Sequence, residues 1–447
     1  MSQLLDFIIN LFRTPAIILG IVAMIGLIVQ RKSFGDIFSG TVKTALGMLV
    51  LAAGSGLIVS EILPFVDLFQ SVFGLEGFAT GSENIVSAMQ GVAVIASSSA
   101  LIMAIGFLVN VALARFTPLK YVFLTGHMMW IASVSIAYSL YVLGLSETLI
   151  VIFGSLLQGV VLTLLPAISQ PIVRKVTGSD DFAIAHLTTL GTVSSGYIGG
   201  LLGDKSKSAE DIKLPKFLEF FKDTAISVSI VMLFFYLVVV IAAGPTAVGV
   251  YAQGQNYIVF GILKAFGFAA GILILLQGVR LMLGELVPSF KGISDKLVPG
   301  AKPALDVPAL FGFGQNSLMI GFITAVIGMI VAMFVSSLIL NVTPLVSIIG
   351  AFFTGGVAGI MGNATGGRRG AAIAGFVYGF LLIFLSGVLY KMFDFSAINA
   401  AGLGHDCIDV MILMMFLKYW YVGVPIIIAA YVFYSFLEVR YQKRNSL

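Results

Sequence analysis

Between positions 307 and 367 the chain runs for 61 residues without a single Asp, Glu, Lys or Arg. A soluble domain carries about 25% charged residues, so such a stretch cannot cover itself with a water-facing surface. One helix needs roughly 20 apolar residues to cross the core of a bilayer, and the stretch is therefore read as two crossings, split near Thr343-Pro344. Further charge-free runs fall at 14–30, 44–60, 84–114, 121–146, 148–173, 182–203, 224–263, 265–279, 370–390 and 419–437, with a break at Gly244-Pro245. Across all 447 residues 59% are hydrophobic and 10% are charged, so the expected fold class is an all-α polytopic membrane protein. The 50 glycines suit helices packed closely in lipid. A single cysteine, Cys407, excludes a disulfide framework and a multi-cysteine metal site. The net charge of +4 is read as loop lysines and arginines, not a nucleic-acid patch. Arg31 and Lys32 follow the first apolar run as they would follow a first spanning helix, so no cleavable leader is expected.

Cytoplasmic loops of membrane proteins hold the excess of Lys and Arg. Basic groups cluster at Arg31/Lys32, Arg115/Lys120, Arg174/Lys175, Lys205 to Lys222, Lys291 to Lys302, Arg368/Arg369 and Arg440 to Arg444. The loop at 61–84 has Glu61, Asp67, Glu76 and Glu83 and no basic residue, which places it outside. These assignments agree if about eleven helices cross, with the N-terminus outside and the C-terminus inside. They also require segments 180–203 and 394–412 to enter the membrane and return as re-entrant hairpins buried in protein.

An internal repeat narrows the function. Gly54, Leu57, Glu61 and Pro64 recur as Gly278, Leu281, Glu285 and Pro288 at an offset of 224, and Ala45 and Gly47 match Ala269 and Gly271. Thr117-Pro118-Leu119 recurs as Thr343-Pro344-Leu345 at an offset of 226. The stretch 65–84 lacks Lys and Arg, whereas 289–308 holds Lys291, Lys296 and Lys302. Equivalent loops with opposite charge bias belong on opposite sides of the membrane, as two inverted repeats of five helices. Such repeats build alternating-access transporters with the solute near the midplane. No Walker loop, strand-following GxGxxG or HExxH occurs, so neither cofactor nor metal is expected and no nucleophile for bond chemistry stands out.

Ionisable groups inside a membrane are expensive and mark function. His127 follows Thr125-Gly126 in an apolar run, His186 lies in the first hairpin beside Thr188 and Thr189, and Asp306 opens the long charge-free stretch. Two imidazoles and a carboxylate both donate and accept hydrogen bonds, as a hydroxyl-rich solute requires. Ser55, in Gly54-Ser55-Gly56, is expected to offer a hydroxyl and backbone amides at a helix interruption, and Thr188 and Glu83 complete the candidate binding set. Glu61 and Glu285 read as structural end-caps or inter-helix partners, and His405, Asp406 and Asp409 as a solvated turn, not a metal cluster.

Several motifs carry a family likeness. LxxxAGSGL at 49–57, LTGH at 124–127, IAH at 184–186, KLP at 213–215, QGVRxxxxEL at 277–286 and GNATGGRRG at 362–370 resemble the ascorbate-type enzyme IIC permeases of the bacterial phosphoenolpyruvate-dependent phosphotransferase system. The likeness runs from about residue 14 to about residue 440. It implies an inner-membrane homodimer whose protomers carry a sugar-like solute past a scaffold by rigid-body, elevator-type movement. Separate IIB and IIA proteins supply the phosphoryl group. It places scaffold helices in 1–65 and 204–288, the latter with a cytoplasmic amphipathic lead-in. The core occupies 66–203 and 289–412, and the last helix and tail are 413–447. Family solute-contact positions match His127, His186 and Asp306. The ascorbate members carry glutamines at the places of Ala52 and Ile131 and a Gln-rich run at Leu187-Thr188, so ascorbate, a related sugar acid or a pentitol remain open as solutes. The residues alone also admit an ion-coupled secondary transporter of the same inverted-repeat build, with Asp306 and the histidines as proton or cation groups.

Overall fold

A computed structural model describes residues 14–73, 77–212, 224–398, 400 and 402–445. The amphipathic lead-in expected within 204–222 falls largely at 213–223, outside the described residues. Helices dominate: α1 (Pro15–Val29), α2 (Phe34–Phe73), α3 (Ser82–Met89), α4 (Ala93–Phe116), α5 (Gly126–Val142), α6 (Glu147–Thr177) and α7 (Thr189–Leu202) form the first half. The second half contains α8 (Thr224–Ala252), α9 (Tyr257–Gly292), α10 (Gln315–Leu340), α11 (Gly356–Met392), α12 (Ile408–Lys418) and α13 (Trp420–Asn445). Among the described residues eight helices are long and apolar enough to cross a membrane. Their outward leucines, isoleucines and phenylalanines remain exposed, including Leu338 and Leu201, each 82% or more accessible. Such surfaces suit lipid, not water.

Local chemistry sets the helix ends. Pro15 begins α1, where its missing amide costs nothing. Asn256 caps α9 by accepting from the Ile258 and Val259 amides at 2.9 and 3.4 Å. The expected break at Gly244-Pro245 is a kink inside α8. The segment Ile348–Met392 reverses on itself at Gly366-Gly367. There Gly367 adopts φ +62, and any Cβ would strike the carbonyls of Asp204 and Lys207. Thr354 Oγ1 consequently meets Tyr378 Oη at 2.5 Å across the turn, and Gly362 abuts Gly370, as in two antiparallel arms.

Two helix groups emerge. α1, α2, α8 and α9 pack chiefly against one another, while α4 to α7 pack with α10 and α11. In the first group α2 and α9 run antiparallel, with Gly47 against the backbone near Gly278 and Met282, and Gly54 against that of Gly271 and Leu275. Ion pairs flank these contacts, Lys43 Nζ–Glu285 Oε1 and Lys264 Nζ–Glu61 Oε2, each 3.0 Å. Glu61 and Glu285 are thus inter-helix partners. The helix interruption expected at Gly54-Ser55-Gly56 does not occur. α2 is continuous from Phe34 to Phe73, because the small residue at position 54 serves close packing and no backbone amide is released.

The helical class acquires one addition, a three-stranded parallel sheet of order β1-β3-β2 formed by Tyr121–Phe123 (β1), Ala183–Ile184 (β2) and Lys302–Leu305 (β3). Phe123 and Ala183 both pair with Ala304, and Ile184 pairs with Leu305, so the C-terminal ends of the strands are level. A second set of crossed segments mimics it. Phe78 bridges Pro344 and Ala79 bridges Leu403, both parallel. Ala304, at the centre of the first set, lies 226 residues after Phe78, at the centre of the second.

Candidate functional site

The sheet gathers the ionisable residues. His127 comes four positions after β1, His186 two positions after β2, and Asp306 directly after β3. The ladder is extended by Leu124 N donating to Ala304 O at 2.9 Å and Ala185 N to Leu305 O at 2.7 Å. These level strand ends bring His127 Nε2 to 3.6 Å from Asp306 Oδ2, and His186 Nε2 to 3.9 Å from Asp306 Oδ1. Asp306 is further oriented by the Val307 amide, which donates to Oδ1 at 2.7 Å. His186 is held by Thr188, whose Oγ1 lies 2.8 Å from Nδ1, and by the Thr189 hydroxyl, which donates to the His186 carbonyl at 2.7 Å.

These groups border a cavity of about 410 Å³, within the roughly 300–1,000 Å³ of small-molecule sites. Thr188 lines it with the two histidines and Asp306. Ala52 and Ile131, the places where the resemblance expects glutamines, lie on its walls too. Of the remaining candidates, the side chains of Ser55 and Glu83 lie outside the described residues.

The second set of crossed segments supplies polar groups that the sequence did not bring into the site. Asp406, three residues after Leu403, lines the cavity. Its Oδ1 accepts from the Ser82 amide at 3.2 Å and from the Ser82 hydroxyl, and its Oδ2 accepts from Ser347 Oγ at 3.3 Å. His405 is fully buried. Its Nδ1 accepts from Cys407 N at 3.2 Å and meets Ser82 Oγ at 2.7 Å, and its Nε2 meets Ser135 Oγ at 3.3 Å. Asp409, 5% exposed, accepts the Thr189 and Leu190 amides at 2.8 Å each and so caps α7 beside His186. The solvated turn expected for His405, Asp406 and Asp409 is therefore overturned, since neighbouring helices fold over it and every polar group has a partner. One ligand atom from each of His405, Asp406 and Cys407 falls within 4.8 Å of the others, but serine hydroxyls and a backbone amide already occupy the imidazole. Helix-capping potential at Asp409 was the one readable signal: a carboxylate can cap a helix far away in sequence.

A partly buried ionic network lies at the opposite ends of the strands. Arg174 Nε meets Asp180 Oδ1 at 2.7 Å, and its Nη2 meets Glu438 Oε1 at 3.2 Å. Lys302 Nζ meets Asp180 Oδ2 at 2.5 Å, and the Tyr121 hydroxyl donates to Glu438 at 3.2 Å. The network joins α6, the start of β3 and α13. Burial pushes the Asp180 carboxyl up, but hydrogen bonds from Arg174, Lys302 and Gln170 outweigh it and hold the group below the ordinary aspartate value of 3.8.

Long apolar helices around a cavity lined by two carboxylates and two imidazoles are the build of a multi-pass membrane protein. Residues 10–406 match the family described as "PTS system sugar-specific permease component", and the chain belongs to that family. It is similar to the "Ascorbate-specific PTS system EIIC component" of Mycoplasma pneumoniae (strain ATCC 29342 / M129 / Subtype 1), with 29% identity over 433 residues. That alignment covers 84% of this chain, and the chain spans 64% of the relative's length.

Proposed function

We propose that this permease component carries a small hydroxyl-rich solute through the cavity bounded by His127, His186, Thr188 and Asp306, for phosphorylation by a separate IIB protein. The convergence of those ionisable residues on one cavity carries the reading. Gaps of 3.6 and 3.9 Å between the imidazoles and Asp306 exceed direct hydrogen-bond length, so a solute hydroxyl can approach all three groups. Ascorbate, the solute in the relative's name, is a candidate together with sugar acids and pentitols. Ser55 and Glu83 stay in the proposed binding set.

We further infer eleven crossings in two inverted five-helix repeats. The α2–α9 contacts support it. Gly47 meets the region of Gly278 while Gly54 meets Gly271, and Gly271 and Gly278 are Gly47 and Gly54 displaced by 224 residues. Reciprocal contacts between equivalent helices that run antiparallel are what an in-plane two-fold axis produces. Three shorter pieces bring eight long helices to eleven crossings: α1, α5 and the second arm of Ile348–Met392. The segments 180–203 and 394–412 are the re-entrant hairpins. The separate packing of α1, α2, α8 and α9 supports a scaffold of 1–65 and 204–288. The core, 66–203 and 289–412, would slide against this scaffold as an elevator, in a homodimer in the bacterial inner membrane with the N-terminus outside.

Uptake into membrane vesicles tests the reading. With cognate IIA, IIB and phosphoenolpyruvate present, labelled solute should accumulate as its phosphate. Accumulation of unmodified solute under a proton gradient alone, without IIB, would instead establish the ion-coupled transporter that the Asp306–histidine cluster also allows.

A further inference from the structure

Two side-chain amides hold the outer edges of the three-stranded sheet. Its strands run for only two to four residues, too few ladder bonds to fix a register unaided. Pro303, in the middle strand, adds no amide to the ladder. The order β1-β3-β2 leaves one edge of β1 and one edge of β2 facing helices. On the β1 edge Asn110 of α4 stands where another strand would pair. Its Nδ2 donates to the Tyr121 carbonyl and its Oδ1 accepts from the Phe123 amide, each at 3.0 Å. A carbonyl only accepts and a backbone amide only donates, so the Asn110 amide fits one way round. Its second Nδ2 hydrogen goes to Thr163 Oγ1 of α6 at 2.9 Å. On the β2 edge Gln170 of α6 donates to the Phe182 carbonyl at 3.2 Å and to Asp180 Oδ1 at 2.7 Å. Asn110 and Gln170 are both fully buried, and neither lines the cavity.

Register decides the chemistry at the other end of the strands. Sliding β1 by one residue past β3 would put Gly126 or Met128 where His127 now meets Asp306. It would also turn the Tyr121 carbonyl and the Phe123 amide away from Asn110. Sliding β2 would bring Ala185 or Leu187 to the place of His186. We propose that Asn110 and Gln170 are positioning residues of the solute site, clamping β1 and β2 in the register that carries His127 and His186 to Asp306. This inference rests on the cavity being the solute site.

The chain has three histidines, so the full-length protein labelled with 15N-histidine in nanodiscs gives a side-chain spectrum simple enough to read without any solute. Asn110→Leu, of similar size and without polar atoms, should move the His127 signals and leave those of His405 in place. Gln170→Leu should do the same to His186. Thr163→Val removes the other partner of the Asn110 amide but neither strand bond, and should leave the His127 signals unmoved even where it lowers the melting temperature. Wild-type His127 signals in folded Asn110→Leu or Asn110→Ala overturn the role of Asn110, and wild-type His186 signals in folded Gln170→Leu overturn that of Gln170. Equal movement of His405, or of His127 in Thr163→Val, overturns the proposal in favour of general loosening. Failure of all three strand-edge variants to fold overturns it too, because the amides would then be folding requirements. The solute reading fails separately. Moved histidine signals with IIB-dependent uptake of labelled ascorbate or xylitol at the wild-type rate would keep the clamp and take the solute site away from these residues.

Discussion

His127 Nε2 lies 3.6 Å from Asp306 Oδ2, although the two residues belong to opposite halves of the chain. Their meeting depends on β1 and β3 pairing in register, and β2 brings His186 to the other oxygen of the same carboxylate. Asp306→Asn keeps the shape and removes the charge. Losing a hydrogen bond to a charged group costs about 1.5–3 kcal/mol, so solute affinity should fall about tenfold to a hundredfold. His127→Ala and His186→Ala should weaken binding similarly and leave the variants folded. Titration of the three purified proteins checks this, and wild-type affinity in all of them would move the solute site elsewhere.

Asp409 is predicted to act on the proposed site through α7. Its two oxygens hold the Thr189 and Leu190 amides, and the Thr189 hydroxyl in turn holds the His186 carbonyl. Asp409→Ala strands both amides at the buried start of α7, at a cost of about 1–3 kcal/mol. The variant should unfold several degrees lower in detergent and bind solute more weakly. Asp409→Asn, which keeps one acceptor, should recover part of both. A stability loss with unchanged affinity would show that α7 does not position His186.

Much of this arrangement was legible in the chain. Charge exclusion marked the long helices because lipid permits no alternative, and the cost of burying ionisable groups singled out His127, His186 and Asp306. The strands were not legible. Segments of two to four residues such as Ala183–Ile184 are too short for period-two alternation. Polarity near His405 was visible, but a sequence window does not reveal which distant helices close over it. Gly54-Ser55-Gly56 posed the reverse problem. Glycines that end a helix and glycines that admit a neighbouring helix have the same local signature, and only the partner glycines on α9 separate them.

The Arg174–Asp180–Lys302–Glu438 network sets an acid limit. Because the Asp180 carboxyl titrates below its ordinary value of 3.8, its contribution is complete above that value and is lost as pH falls through the lower folded value. Thermal unfolding should therefore respond little to Asp180 above about pH 5 and weaken on acidification below pH 4. Asp180 is one-third exposed, so Asp180→Asn should cost only about 1 kcal/mol at pH 7 after allowance for screening and should flatten the acid limb. Glu438 is better buried, and Glu438→Gln should cost about 1–3 kcal/mol at the same pH. An acid limb identical in wild type and Asp180→Asn would assign acid sensitivity to other carboxylates.

The proposed inverted repeat predicts 65–84 outside and 289–308 inside. Its motivation is the mirrored Glu61–Pro64 and Glu285–Pro288 motifs with opposite flanking charge. Thr80 is unsuitable for labelling, because its hydroxyl donates to the Leu345 carbonyl and the residue is 6% exposed. Asn84, in α3, and Asp295, in the helical turn after α9, are exposed and suit the purpose. Native Cys407 is buried, and its replacement by alanine removes residual background. In right-side-out vesicles an impermeant maleimide should label Asn84→Cys and spare Asp295→Cys, and inside-out vesicles should reverse the pattern. Labelling of both positions from one side would place equivalent loops on the same face. It would exclude the in-plane two-fold axis, and the reciprocal Gly47–Gly278 and Gly54–Gly271 contacts would then be ordinary antiparallel helix packing.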